Sequence, residues 1–232
     1  MIKEKDPEFL IQTKDIVTVV ERLKSDIPFT KAIMLDRIVK RTLYKVPLHS
    51  GDTDEKNRWI RIMDGDVECD EQPRCTITYK DKMKNMSDEE KAVLKVDNYD
   101  DAIHLFDLLH YERASYQENL RSKFVCILDQ VKYVIRFDTW PKIEDVTFVT
   151  VTATSSADDH SLSDFVDALG LAELNIWPQP RVDVDKVYEE RFGCPAMSIP
   201  EVTFEFDLQI LEKNELNSNT LHNAGCFLYY YI

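Results

Sequence analysis

Asn119–Leu128 (NLRSKFVCIL), Val131–Asp138 (VKYVIRFD) and Val146–Ser155 (VTFVTVTATS) are three β-prone runs in close succession, and their reading decides the fold. Each is rich in branched and aromatic residues and lacks glycine and proline, the composition of strands rather than helices. Arg121, Lys123 and Arg136 alternate with Phe124, Ile135 and Phe137. Successive strand side chains point to opposite faces, so this alternation separates one polar face from one apolar face. The polar face fits a solvated surface and a barrel lumen equally well.

Working outward, FLIQTKD starts as an alternating strand and passes into a helix in which Ile16, Val19, Val20 and Leu23 share one face. Thr13 or Asp15 can cap that helix and Pro28 ends it. Lys31 to Pro47 reads as β, Ser50 to Asn57 as a polar turn, RWIRIMDGD and CTITYKDK as two further strands. Ser87 and Glu90 have capping-box spacing, yet the following Ala92 to Val96 reads better as a strand. NYDDAIHLFDLLHY, SLSDFVDALGL and VDKVYEERFG read as amphipathic helices, the last two closed by Gly170 and Gly193. EVTFEFDLQIL and the terminal FLYYYI are a last pair of β segments. Strands outnumber helices and succeed one another in antiparallel fashion, an α+β class with a curved or closed sheet.

The chain has 232 residues, 44% apolar, enough for a sizeable core. No apolar run reaches the roughly 20 residues that span a bilayer, and MIKEKDPEF lacks a signal-peptide core. The five cysteines are scattered without a CxxC pair, which argues against a zinc ribbon or a disulfide framework. A cytoplasmic, reduced protein is expected. A net charge of −14 disfavours membrane surfaces and non-specific nucleic-acid binding. It leaves room for a local basic site, because screening limits surface charge to about 10 Å.

The order of these pieces resembles the CYTH superfamily, the triphosphate tunnel metalloenzymes, which include class IV adenylate cyclases and thiamine triphosphatases. The matching strings are FLIQTKDIVTVVERL, RWIRIMDG, CTITYK, DDAIHLFDLLHY, NLRSKF, VKYVIRFD, TFVTVTA, ALGL and DKVYEERFG. The resemblance implies an antiparallel eight-stranded barrel, closed or nearly so, with flanking helices. It implies a tunnel domain over residues 1–193, with 194–232 as a C-terminal β extension packed on it. Basic residues of such a lumen bind a triphosphate, and acidic residues hold Mg²⁺ or Mn²⁺.

The acidic half of that pattern is missing. The family's ExExK strand matches Leu10, Gln12 and Lys14; a later acidic strand matches Lys91, Val93 and Lys95; a third acidic pair matches Thr150 and Thr152. Hard divalent cations need oxygen ligands, preferably carboxylates, so no metal site is expected. The basic half persists as Lys14, Arg61, Lys80, Arg121 and Arg136, with Lys123 in step with Arg121, although Met63 replaces the second arginine of its strand. These are the candidate phosphate-binding residues, with Gln12, Thr150, Thr152 and Asp138 in support. Each has a plainer reading as a surface cation, and Asp138 can pair with Arg136 or Lys14.

The expected function is capture of a phosphorylated small molecule, a nucleotide or nucleotide-derived signal, without a cofactor. Cations gathered in one lumen repel in the empty protein, so removing Arg61 or Arg121 should leave it at least as stable. The alternative is a divergent Mg²⁺- or Mn²⁺-dependent triphosphatase or nucleotidyl cyclase using Asp138 with Glu8, Glu118 or Glu144. A third reading makes the acidic surface an interaction module. The dispersed histidines do not converge on a metal, and Cys126 reads as core rather than nucleophile. The uncharged FLYYYI end suits completion of a sheet or a homo-oligomer contact.

Overall fold

The alternation of polar and apolar residues in the central runs becomes a sheet with one face committed to a core. A computed structural model describes residues 6–46, 58–67, 73–82, 89–153, 159–177 and 182–204. The strands are β1 (Glu8–Gln12), β2 (Phe29–Lys45), β3 (Arg58–Asp66), β4 (Arg74–Lys82), β5 (Glu89–Val96), β6 (Arg113–Leu128), β7 (Val131–Thr139), β8 (Val146–Ala153) and β9 (Glu201–Val202). The helices are α1 (Ile16–Asp26), α2 (Tyr99–Leu108), α3 (Asp159–Ala168), α4 (Leu171–Leu174) and α5 (Val184–Phe192). The nine strands run in the order β1-β8-β7-β6-β2-β3-β4-β5, with the two-residue β9 beside β6. Only β9 pairs in parallel among the registered pairs. No helix among the described residues is long and apolar enough to cross a membrane.

The chain divides into two compact units. The first takes the described residues within Met1–Arg37, Asn119–Val182 and Thr203–Ile232; the second takes Ile38–Glu118 and Asp183–Val202.

In the first unit, β1, β8, β7 and the second part of β6 pair antiparallel. Their apolar face, with Ile11, Phe124, Ile135, Phe137, Val149 and Val151, joins Ile16, Val19, Val20 and Leu23 of α1 and Phe165 of α3 in one buried cluster. Burying each such side chain contributes about 1.5–3 kcal/mol. Tyr133 of β7 stacks on Phe165 with ring centroids 4.1 Å apart. Gly170 ends α3 at φ 62°, where the Arg22 side chain lies over its Cα and donates from Nη1 to the Leu169 carbonyl at 2.8 Å.

The expected closed barrel is corrected to an open sheet: β1 and β5 end the strand order and do not pair among the described residues. The free edge of β1 is already occupied. The Leu10 amide donates to Asn175 Oδ1 at 3.0 Å, and the Leu10 carbonyl accepts from the Ile176 amide at 2.8 Å. Backbone groups spent on residues 175–176 cannot close a barrel seam. Among the described residues the strands number nine rather than eight.

In the second unit, the C-terminal part of β2 pairs with β3, β3 with β4, and β4 with β5. Tyr44, Ile60, Ile62, Cys75 and Ala102 form its buried cluster, with Phe106 and Tyr111 packed against it. Asn98 caps α2, its Oδ1 accepting from the Asp100 and Asp101 amides. Gly65, at φ 89°, sits where the β3–β4 register shifts. The strand reading of Ala92 to Val96 holds as part of β5. The Ser50–Asn57 turn, Ser87 and the FLYYYI terminus lie outside the described residues, as does EVTFEFDLQIL beyond Phe204.

Candidate functional site

Residues paired across neighbouring strands share a sheet face. The polar face of the first unit therefore reads, row by row, Lys123–Arg136–Thr150–Glu8 and Arg121–Asp138–Phe148–Leu10. Asn119 precedes Arg121 on the same side of β6, and Thr152 follows Thr150 on β8. The sequence-expected residues Arg121, Lys123, Arg136, Asp138, Thr150, Thr152 and Gln12 thus occupy one face, opposite the apolar cluster.

Their chemistry centres on Asp138. Its Oδ1 accepts from Arg121 Nε at 2.5 Å and Asn119 Nδ2 at 2.8 Å, and its Oδ2 accepts from Arg121 Nη2 at 2.9 Å. Arg136 Nε lies 2.9 Å from Oδ2 as an ion-pair contact whose N–H is not aligned for a hydrogen bond. Arg136 Nη2 donates to Thr150 Oγ1 at 2.9 Å. Asn119, Arg121, Lys123 and Asp138 are buried, whereas the Arg136 side chain is 35% exposed. Arg121 is therefore a partner of Asp138 before it is anything else. Lys123 and Arg136 stand directly opposite each other in the β6–β7 register.

This site does not suit a divalent metal. Both Asp138 oxygens already face guanidinium groups, and a metal ion there would meet two positive charges. Of the other acids considered, Glu8 is half-buried on this face, and Glu144 accepts from the Lys142 amide in the β7–β8 turn. Glu118 belongs to the second unit, where it accepts from the Tyr116 hydroxyl. Among the described residues no three His, Cys, Asp or Glu gather as metal ligands.

Lys14 departs from the strand reading. β1 stops at Gln12, and Lys14 is exposed in a single 3₁₀ turn, Thr13–Asp15. Thr13 imposes that turn: its amide donates to the Asp145 carbonyl, and its hydroxyl to the Glu144 carbonyl at 2.7 Å.

The second unit carries its own polar face, on the side of the sheet away from α2. Its rows are Lys45–Trp59–Lys80–Lys91, Leu43–Arg61–Thr78–Val93 and Arg41–Met63–Thr76–Lys95. Six of these twelve positions are Lys or Arg, and none is Asp or Glu. Arg61 Cζ and Lys80 Nζ lie 5.3 and 5.2 Å from the centre of the Trp59 ring. That proximity is a cation–π arrangement which holds two cations side by side. Lys45, at the margin, pairs with Glu112.

Arg61 and Lys80 were legible as candidates; Arg41, Lys45 and Trp59 were not. Extending the Arg61 alternation back to Trp59 could have found the ring, but only the β2–β3 register brings Arg41 and Lys45 to the same face. Arg61 and Lys80 belong to the second unit and Arg121 to the first. Cys126 is fully buried in the apolar cluster, where burial pushes its thiol up to about 11, as expected of a core residue.

Together these features define an α+β protein built on an open, mainly antiparallel sheet with one polar, cation-bearing face in each unit. No family model matches the chain, and no curated protein matches it in sequence. Solved structures similar to it include a protein from Pyrococcus horikoshii, 14% identical over 81% of this chain and 100% of that one, with a TM-score of 0.47. A second P. horikoshii protein is 14% identical over 77% and 96% of the two chains, with a TM-score of 0.46. A candidate adenylate cyclase from Vibrio parahaemolyticus is 14% identical over 73% and 87%, also with a TM-score of 0.46. At these values the likenesses assign neither a family nor an activity.

Proposed function

We propose that this protein binds a phosphorylated small molecule, a nucleotide or nucleotide-derived signal, without turning it over, and that the cationic face of β2–β5 holds its phosphates. One observation carries the reading: in a chain of net charge −14, the three central rows of that face hold six Lys or Arg positions and no Asp or Glu, acids entering only at its ends, Glu89 opposite Lys82 and Asp66 opposite Arg74. Such segregation in an acidic protein places positive potential where an anion can use it. Guanidinium and ammonium donors satisfy phosphate oxygens by charge-assisted hydrogen bonds and need no metal. In the first unit, Lys123 and Arg136 offer a smaller version of the same chemistry, with Thr150 beside them. The resemblance to the triphosphate tunnel family supports the ligand class, and the loss of its acidic positions supports binding over metal-dependent hydrolysis.

The test is calorimetric titration and thermal melting with ATP and tripolyphosphate in EDTA. Binding at a hundredfold excess over the dissociation constant stabilises by about 2.7 kcal/mol. Arg61→Ala and Lys80→Ala should each remove most of that rise, while Lys142→Ala, in an exposed turn, should leave it intact. No binding without Mg²⁺, or turnover with Mn²⁺ that Asp138→Ala abolishes, would overturn the proposal in favour of an enzyme.

A further inference from the structure

A buried side-chain hydroxyl either finds a partner or costs free energy. Thr76 of β4 has not found one: its Oγ1 is buried and makes no hydrogen bond among the described residues. Valine is likewise β-branched, suits a strand at least as well and carries no hydroxyl. The fold of the second unit therefore gives no reason for a threonine at this position.

The surroundings do. Thr76 lies on the cationic face, in the row Arg41–Met63–Thr76–Lys95. Arg41 is buried at one end of that row, and Lys95 is exposed at the other. Two positions along β4 on the same face, Thr78 is buried and stands opposite Arg61. The nearest acid of this face by register is Asp66, opposite Arg74 beyond the β3–β4 register shift. A hydroxyl among cation positions has its proton to offer, and an anionic oxygen accepts it in a charge-assisted hydrogen bond. Met63 and Lys95, the cross-strand neighbours of Thr76, are long unbranched side chains that can swing aside without moving the sheet.

We infer that Thr76 Oγ1 donates to a phosphate oxygen of the ligand and fixes where on the face that phosphate sits. The inference rests on the phosphate-binding reading of β2–β5 and adds to it a contact that carries no charge. It commits Thr76 to the phosphate rather than to the nucleoside, so ATP and tripolyphosphate share the contact. In the free protein the same hydroxyl is a cost, and the ligand removes it.

The test pairs Thr76→Val with Thr76→Ser, read by urea denaturation of the free protein and by calorimetry with ATP and tripolyphosphate in EDTA. Thr76→Val should leave the unfolding midpoint unchanged or raise it, and should weaken both ligands by about tenfold or more, the worth of a hydrogen bond to a charged group. Thr76→Ser keeps the hydroxyl and should bind much like the parent. A lowered midpoint in Thr76→Val would show the hydroxyl already satisfied and overturn the inference. So would a Thr76→Val that binds like the parent, a loss confined to ATP, or a Thr76→Ser that binds no better than Thr76→Val. If Arg61→Ala abolishes binding and Thr76→Val does not, this inference fails while the phosphate-binding reading stands; if the parent binds neither ligand, both fail.

Discussion

Replacing Arg121 by methionine should destabilise the protein strongly, although a cation held for a ligand would show the opposite. Arg121 donates twice to Asp138, and both groups are buried. Removing one partner of a buried pair typically costs about 3–5 kcal/mol, because the remaining charge loses its compensation. Here Asp138 keeps the Asn119 amide at 2.8 Å and the Arg136 contact at 2.9 Å. The expected loss is therefore near the low end, about 3 kcal/mol. For a chain of this size that lowers the melting temperature by about 6–12 °C, at roughly 2–4 °C per kcal/mol. The double change Arg121→Met with Asp138→Leu removes both charges and should recover most of the loss, as in other buried pairs replaced by apolar residues. Urea denaturation of the two single variants and the double closes the cycle. If Arg121→Met is neutral or stabilising, Arg121 is not the structural partner of Asp138, and a free cation awaiting an anion is the better description.

Gly65→Ala should cost about 1–3 kcal/mol from its left-handed backbone alone, and more because the new Cβ would fall 2.7 Å from the Ile38 carbonyl oxygen; an unchanged denaturation midpoint would refute the tight β2–β3 approach. Asp185 carries a carboxyl raised above its usual 3.8, chiefly by burial, with the Asp183 charge adding and the Met197 amide opposing. Its folded pKa exceeds its unfolded one, so stability present while it is protonated is lost as pH rises from about 4 through the raised value. Asp185→Asn should therefore gain on the parent across that interval and hold its gain above it; an advantage that shrinks with rising pH would contradict this sign.

The alternation of charged and apolar residues along Asn119–Asp138 is local information, and it decided the existence of a polar and an apolar face before any strand was paired. Helical spacing in Ile16 to Leu23, and the β-branched content of Ala92 to Val96, were equally local and read correctly. Register is not local. Arg121 looked like any inward cation until Asp138 and Asn119 came within hydrogen-bond reach of one another across β6 and β7. Arg41, Lys45, Trp59 and Lys95 became one face only when three hairpin pairings aligned them. The 3₁₀ turn at Lys14 depends on carbonyls of residues 144 and 145, more than a hundred positions away. The protection of the β1 edge is likewise a long-range matter: Asn175 and Ile176 take the amide and carbonyl of Leu10, and backbone groups once paired cannot pair again.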